Sequence, residues 1–327
     1  MITRRTFVGA TAAAFALGPA AAFGQQKIRR IGYLANDPDE ASPTFQAFSA
    51  ALRELGWVRG KNLEILYLSS RGNDTGFPPL AAEVVRANVD LIVTTGSPST
   101  RAAKGATSTI PIIFGSAANP VEQGFVASLP SPGGNVTGLA LLVRELGPKR
   151  WELLKELLPH ATRFARLYDA SSIASVQPDI IREDDAAAKR LGVSLRHMPV
   201  AHREGIEPTI DAAARSGVQG IHVTAAAVFV VNRKNIAKLG LEKKMPVIGP
   251  DARFPEDGCL ASYGENYVSR YRRAAFLADK VLRGMKPADI PVEQSEILEF
   301  VINLSTAKKL GVQLPPSVVA RADRVVK

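Results

Sequence analysis

The chain has 327 residues, a formal charge of +10 and one cysteine. That length suits two lobes with separate cores, since domains usually run to ~100–200 residues. A single cysteine, Cys259, excludes an internal disulfide and any thiolate cluster, so stability must come from packing. The positive balance is spread over single residues and pairs such as Arg272-Arg273 and Lys308-Lys309, which reads as solubility rather than a nucleic-acid surface.

The first 24 residues read as an export leader. Arg4 and Arg5 within Thr3-Arg4-Arg5-Thr6-Phe7 resemble a twin-arginine signal, an apolar run from Val8 to Leu17 follows, and Ala22-Phe23-Gly24 offers a small-residue cleavage site before Gln25. The run is too short for a bilayer span, which needs ~20 apolar residues, and no cysteine stands at the cleavage site to carry a lipid. The mature chain is therefore expected outside the cytoplasm, in the periplasm and free of a lipid anchor, with its formal charge reduced to +8 by loss of the two arginines.

Alternation of strand and helix patterns then begins at once. Strands are predicted at Ile28–Ala35, Leu63–Leu68, Val89–Thr94, Ile110–Phe114 and Val136–Leu141, separated by helices beginning near Pro43, Pro79, Pro98 and Pro120. The first helix places Phe45, Phe48, Leu52 and Leu55 on one face, and Gly56 stops it. Runs such as Leu91-Ile92-Val93 are apolar at every position, as strands buried on both sheet faces require. A second series follows: helix Glu145–Leu158, strand Phe164–Tyr168, helix Pro178–Leu191, strand Val193–Val200, helix Gly205–Ser216, strand Ile221–Thr224, helix Val228–Lys243 and strand Pro246–Ile248. The chain then returns through strand Cys259–Tyr263, helix Tyr267–Arg283, an extended Ile290–Gln294, strand Phe300–Asn303 and short helices at Thr306–Leu310 and Ser317–Ala322.

This order gives an α/β fold of two doubly wound parallel-sheet lobes joined by three thin connections, near Leu142, Gly264 and Val292. The expected division is 25–142 plus 265–291 for one lobe and 143–264 plus 292–327 for the other. Ligands bind open α/β sheets beyond the carboxyl ends of the strands, and there Ser42-Pro43, Ser97-Pro98 and Asn119-Pro120 each place a capping residue before a helix-opening proline. Glu122 stands where it would complete a capping box with Asn119, and Gly96 and Gly115 allow close backbone approach. Free helix amides at these turns favour an anion. The facing strand ends supply Asp169 to Ser172, Thr224 to Ala227 and Pro250 to Arg253. Arg253 could anchor an acid two-pronged, Asp251 could receive a donor, or the two could merely pair on the rim; Tyr33 and Phe254 are candidates for a flat wall.

Catalytic chemistry finds little support. His160, His197, His202 and His222 lack metal-ligand spacing, and no GxGxxG, GxxxxGK[ST] or GxSxG segment occurs. No cofactor or metal is called for. Asp184 and Asp185, beside Glu183, read as a solvated helix face. A DNA-binding headpiece has no room ahead of the first strand, which sets nucleic acid aside.

Several segments resemble a known family: Ile31-Gly32-Tyr33-Leu34, Leu55-Gly56-Trp57, Ala127-Ser128-Leu129 with Pro132-Gly133-Gly134-Asn135-Val136-Thr137-Gly138, Ser262-Tyr263-Gly264, Tyr271 to Ala275, Lys286-Pro287-Ala288-Asp289-Ile290-Pro291-Val292-Glu293-Gln294, and Asn303-Leu304 with Thr306-Ala307-Lys308. They are similar to the ABC transporter substrate-binding family that includes tryptophan- and tyrosine-type components. The resemblance covers essentially the whole mature chain and implies a type I periplasmic binding fold, in which a small solute is clamped between the lobes and delivered to a membrane permease with its ATPase; a monomer is expected. It implies ligand contacts at Asn36, Gly96, Ser97, Ala117, Asn119, Pro120, Ser171, Ser172, Ala225 and Asp251, to which the residues themselves add Arg253. Two departures, Asn119-Pro120 where relatives carry Asp-Pro and Asp251-Ala252-Arg253-Phe254 where they often carry Ser-Arg-Glu-Phe, argue against a plain α-amino acid. The expected solute carries a carboxylate, aromatic acids included; an exported hydrolase or lyase on the same scaffold is the alternative.

Overall fold

The computed structural model describes residues 28–141, 143–170, 177–294 and 297–327. The leader, the crossing at Leu142 and the Ser171-Ser172 pair lie outside the described residues.

In the first part of the chain, β1 (Arg29–Ala35), α1 (Pro43–Glu54), β2 (Leu63–Ser69), α2 (Phe77–Arg86), β3 (Leu91–Thr94), α3 (Ser97–Ala106), β4 (Ile112–Ala118) and β5 (Val136–Leu141) alternate as the pattern requires. The second part runs α4 (Val143–Leu157), β6 (Arg163–Asp169), α5 (Gln177–Arg190), β7 (Ser194–Val200), α6 (Ile206–Arg215), β8 (Gly220–Val223), α7 (Ala227–Val231), α8 (Arg233–Glu242), β9 (Val247–Gly249), α9 (Arg253–Glu256) and β10 (Ala261–Glu265). The return comprises α10 (Tyr267–Leu282), β11 (Glu293–Gln294), β12 (Leu298–Asn303), α11 (Leu304–Leu310), α12 (Pro316–Val319) and β13 (Arg324–Val326).

Among the described residues, six strands form one sheet in the order β11-β5-β4-β3-β1-β2, and seven form another in the order β13-β12-β10-β9-β8-β6-β7. The first is wholly parallel, while in the second β10 and β12 run antiparallel. Strand order reverses between β1 and β3 in one sheet and between β6 and β8 in the other, and such reversals open a crevice at the carboxyl strand ends.

Amphipathic packing fixes the helices. Ser42 caps α1 by accepting the Phe45 amide at 3.3 Å, and Phe45, Phe48, Ala51 and Leu52 are buried against β1 and α10. Asn266 caps α10 by accepting the Ser269 amide at 2.9 Å, and Trp57 Nε1 donates to Asp279 Oδ1 of that helix at 2.8 Å. Tyr33 stacks on Tyr67 with ring centroids 5.6 Å apart, and Phe254 is buried in the second core, so neither forms a ligand wall.

Several expectations are corrected. No helix spans 120–129: Asn119 and Gly124 both take left-handed backbone angles, φ 41° and 67°, so the chain turns instead of coiling. The predicted helix Val228–Lys243 is broken at Asn232, whose side-chain amide donates back to Val228 O at 2.7 Å. Glu265 pairs within the second sheet and Glu293-Gln294 extend the first, beside the crossings expected near Gly264 and Val292. The short α9 and β13 were not foreseen, because three or four residues carry too little periodicity to register.

Candidate functional site

Between the two sets of carboxyl strand ends lies a cavity of about 880 Å³, walled by both lobes. Asn36 after β1 and Gly96 and Ser97 after β3 occupy one crevice; Asp169 after β6 and Thr224 and Ala225 after β8 occupy the other. Local sequence explains the first crevice. The Asn36 amide donates to Thr95 Oγ1 at 3.0 Å, and the Thr95 hydroxyl donates in turn to Leu34 O at 3.1 Å, which joins the ends of β1 and β3. Asn36 Oδ1 is buried on the cavity wall and has no hydrogen-bond partner among the described residues.

Gly96, not Ser97, caps α3: Ser99 Oγ accepts the Gly96 amide at 3.1 Å. Ser97 Oγ instead accepts from the Ala118 amide at 3.2 Å and from Gln123 Nε2 at 3.1 Å, tying the next turn in place. Ala117 is buried in the sheet core, while Asn119 donates to Glu122 Oε2 at 3.2 Å as part of a turn that opens no helix. Ala117, Asn119 and Pro120 are therefore not on the cavity wall, and the Asn119 departure takes no carboxylate away from it. Gly115 admits the ring of Tyr271, since a Cβ there would lie 2.5 Å from Tyr271 Cε1; its role is core packing.

Asp251 and Arg253 combine two of the alternatives left open by the sequence. Arg253 Nε and Nη2 donate to the Asp251 carboxylate at 2.8 and 3.0 Å, and its backbone amide adds a third bond at 3.0 Å. Burial alone would raise the Asp251 carboxyl, but the Arg253 charge and hydrogen bonds overcome this and hold it below the usual carboxylate range. Asp251 is buried and Arg253 is partly so. Arg253 reaches the cavity with its guanidinium over the Tyr267 ring at 4.9 Å and Nη1 3.9 Å from Asp37 Oδ2 of the opposite lobe. Asp251 itself stands behind it, off the wall.

Deeper in the second lobe is a polar cluster that the sequence reading missed. Arg166 in the middle of β6 faces Asp184 of α5 at 2.8 Å, and Asp184 accepts the Trp151 indole N–H at 2.6 Å. His222 in β8 lies edge-on to Trp151, with ring centroids 4.9 Å apart. Burial, then the charges of Arg150 and Arg166, push His222 well below its ordinary pKa, so the imidazole is neutral. Asp184 is 1% exposed, not solvated as its neighbours in sequence suggested. The signal was present: Arg166 and His222 each interrupt an apolar strand, Phe164-Ala165-Arg166-Leu167 and Ile221-His222-Val223, where a polar residue requires a buried partner.

Asp74, ahead of α2, lines the mouth of the cavity. Burial, assisted by Asp169 from the other lobe, raises its carboxyl to about 6. Among the described residues no group of three or more His, Cys, Asp or Glu could hold a metal ion, and no helix is long and apolar enough to cross a membrane.

Comparison with known proteins agrees with this architecture. The family model described as ABC transporter substrate binding protein matches residues 38–326. A tyrosine-binding protein of Clostridioides difficile (strain R20291) is 29% identical over 269 residues, covering 82% of this chain and 76% of the relative. The crystal structure of a conserved domain protein from Vibrio cholerae O1 biovar eltor str. N16961 superposes with a TM-score of 0.84 at 26% identity, over 91% of this chain and all of that one. The ABC domain from Streptococcus pneumonia in complex with L-Trp superposes with a TM-score of 0.83 at 24% identity, over 92% of this chain and all of that one. The fold is thus the two-lobed type I periplasmic binding architecture, and the chain belongs to the ABC transporter substrate-binding protein family.

Proposed function

We propose that this protein is the solute-receiving component of an ABC importer, carried to the periplasm by the twin-arginine leader, where it closes on a small carboxylate-bearing solute and presents it to a membrane permease and its ATPase. One observation carries the reading: a cavity of about 880 Å³ bounded by both lobes, with charged and polar side chains facing inward. Its volume falls in the ~300–1,000 Å³ range of small-molecule sites. Solutes held this way would be enclosed by relative motion of the lobes about the thin connections.

Aromatic amino acids are the first candidates, since one relative is a tyrosine-binding protein and a solved structure of the same fold holds L-Trp. Asp37, Asp74 and Asp169 on the walls supply acidic groups for an ammonium, so an amino acid is compatible with the cavity despite the substitution at Asn119.

Calorimetry of the purified protein against L-tyrosine, L-tryptophan, aromatic acids and nucleosides tests this. Tight binding without turnover is expected, and a ligand at 100 Kd adds about 2.7 kcal/mol of stability. Turnover of a bound compound, or selective binding of cations alone, contradicts the proposal. Export is tested separately: replacing Arg4 and Arg5 by lysine should retain the precursor in the cytoplasm, and normal export of that variant rules out the twin-arginine route.

A further inference from the structure

Among the described residues, four arginines line the cavity: Arg101, Arg150, Arg166 and Arg253. Arg253 is neutralised by Asp251, Arg166 lies against Asp184, and Arg101 is exposed and donates to Gln123 Oε1 at 2.9 Å. Arg150 differs from all three. It is 7% exposed, yet among the described residues it forms no ion pair. Its Nε donates to Tyr263 O at 2.6 Å and its Nη2 approaches Pro250 O at 3.5 Å, both neutral carbonyls.

We infer that Arg150 is the anion anchor of the cleft, a fixed guanidinium whose missing counter-ion is the carboxylate, or an equivalent anionic group, of the solute. The inference rests on the reading of the cavity as the solute site. A buried cation without a partner carries a desolvation cost that an anion in the same cavity offsets. Burial lowers Arg150 to about 10, and the neighbouring Tyr267, Asp251 and Asp184 offset this only in part. Nearby Arg166 and neutral His222 add no negative charge, and both His222 ring nitrogens, on the cavity wall, lack hydrogen-bond partners among the described residues. Two carboxylates act on Arg150 from nearby, and each is held by another arginine: Asp251 by Arg253, and Asp184 by Arg166 together with the Trp151 indole.

Arg150 is also held in advance of binding. A Cβ at residue 264 would lie 1.9 Å from Pro250 O and 3.0 Å from Arg150 Nη2, so the absence of a side chain at Gly264 lets the two strand ends and the guanidinium come together. Such clamping lowers the ordering cost when an anion arrives. Arg253, already paired and stacked on Tyr267, forms an adjoining wall instead of the anchor.

The test uses benzoate and its neutral isostere benzamide as probes, in thermal-shift titrations of the full mature protein. Benzoate should raise the unfolding temperature and benzamide should not. Arg150→Gln should weaken the benzoate response about tenfold or more, the loss expected for one charged hydrogen-bonding group, while Arg86→Gln on an exposed helix face leaves it intact. If Arg150→Gln does not fold, Arg150→Lys, which keeps the charge but loses the planar fork, should still weaken the response. An undiminished benzoate response in the Arg150 variant that folds, or equal responses to benzoate and benzamide in the unaltered protein, overturns the anchor. Either result leaves solute binding to be judged by the calorimetric panel, where tight binding of L-tyrosine, L-tryptophan or a nucleoside supports the solute reading whatever the Arg150 variants show.

Discussion

Gly72, beyond β2, and Val231, at the end of α7, meet across the mouth of the cleft: a Cβ on Gly72 would lie 2.2 Å from Val231 Cγ2. The two residues belong to different lobes, so this contact exists only while the lobes are together. Gly72 also takes φ 78°, which disfavours a side chain independently of the contact.

Gly72→Ala should therefore act on closure as well as on local strain. The backbone penalty is about 1 kcal/mol in either arrangement, but the clash is confined to the closed one. Small-angle scattering should show a larger radius of gyration for the variant, with weaker solute binding by calorimetry. An unchanged radius and affinity would show that this contact does not govern closure.

Closure should respond to acid through Asp74. Its carboxyl is raised to about 6 by burial and by Asp169 across the cleft, against an ordinary value of 3.8. A raised carboxyl means that the closed form takes up a proton that the open form lacks, between pH values near 4 and 6. Acidification through that window favours closure; the gain is fully developed below about pH 4 and is lost as pH rises through about 6. Ligand-free protein should be more compact at about pH 4.5 than at about pH 7.5, and Asp74→Asn should flatten the dependence. The opposite trend in the scattering radius would exclude Asp74 as the responsible group.

Asp184 holds the polar cluster of the second lobe. Asp184→Ala removes the partner of Arg166 and leaves the Trp151 indole without its acceptor, and should cost about 3–5 kcal/mol in denaturant unfolding. Asp184→Asn, which retains an acceptor for Trp151, should cost less. Equal stability of the alanine variant and the unaltered protein would mean that the buried charge finds other compensation.

Arg253 and Asp251 should behave as a unit. Arg253→Gln strands a carboxylate that is 3% exposed as a residue, so its first effect should be on stability, again about 3–5 kcal/mol. Adding Asp251→Asn should recover much of the loss, because it removes the unpaired charge. Independent, additive costs in a double-mutant cycle would show that the two groups do not depend on one another.

Residue patterns alone were enough for the fold. Apolar strands such as Leu91-Ile92-Val93 and amphipathic helices such as that of Phe45, Phe48 and Leu52 carry their own periodicity, and alternation of the two forces parallel sheets with crossover helices. The same order placed Gly96, Ser97 and Ala225 at carboxyl strand ends, and the family resemblance pointed to Asn36; all four line the cavity. Tertiary structure decided the rest. Whether Asn119-Pro120 opens a helix depended on two left-handed residues, Asn119 and Gly124, that local propensity does not fix. The inward groups Arg150, Arg166, Asp184 and His222 come from four separate elements, α4, β6, α5 and β8, and their meeting is set by sheet order and helix packing rather than by spacing along the chain. Charge compensation is likewise a property of three-dimensional neighbours. Asp251 neutralises Arg253 two residues away, while Arg150 is left to two carbonyls from distant strand ends, a difference that no one-dimensional pattern records because burial and distance determine it.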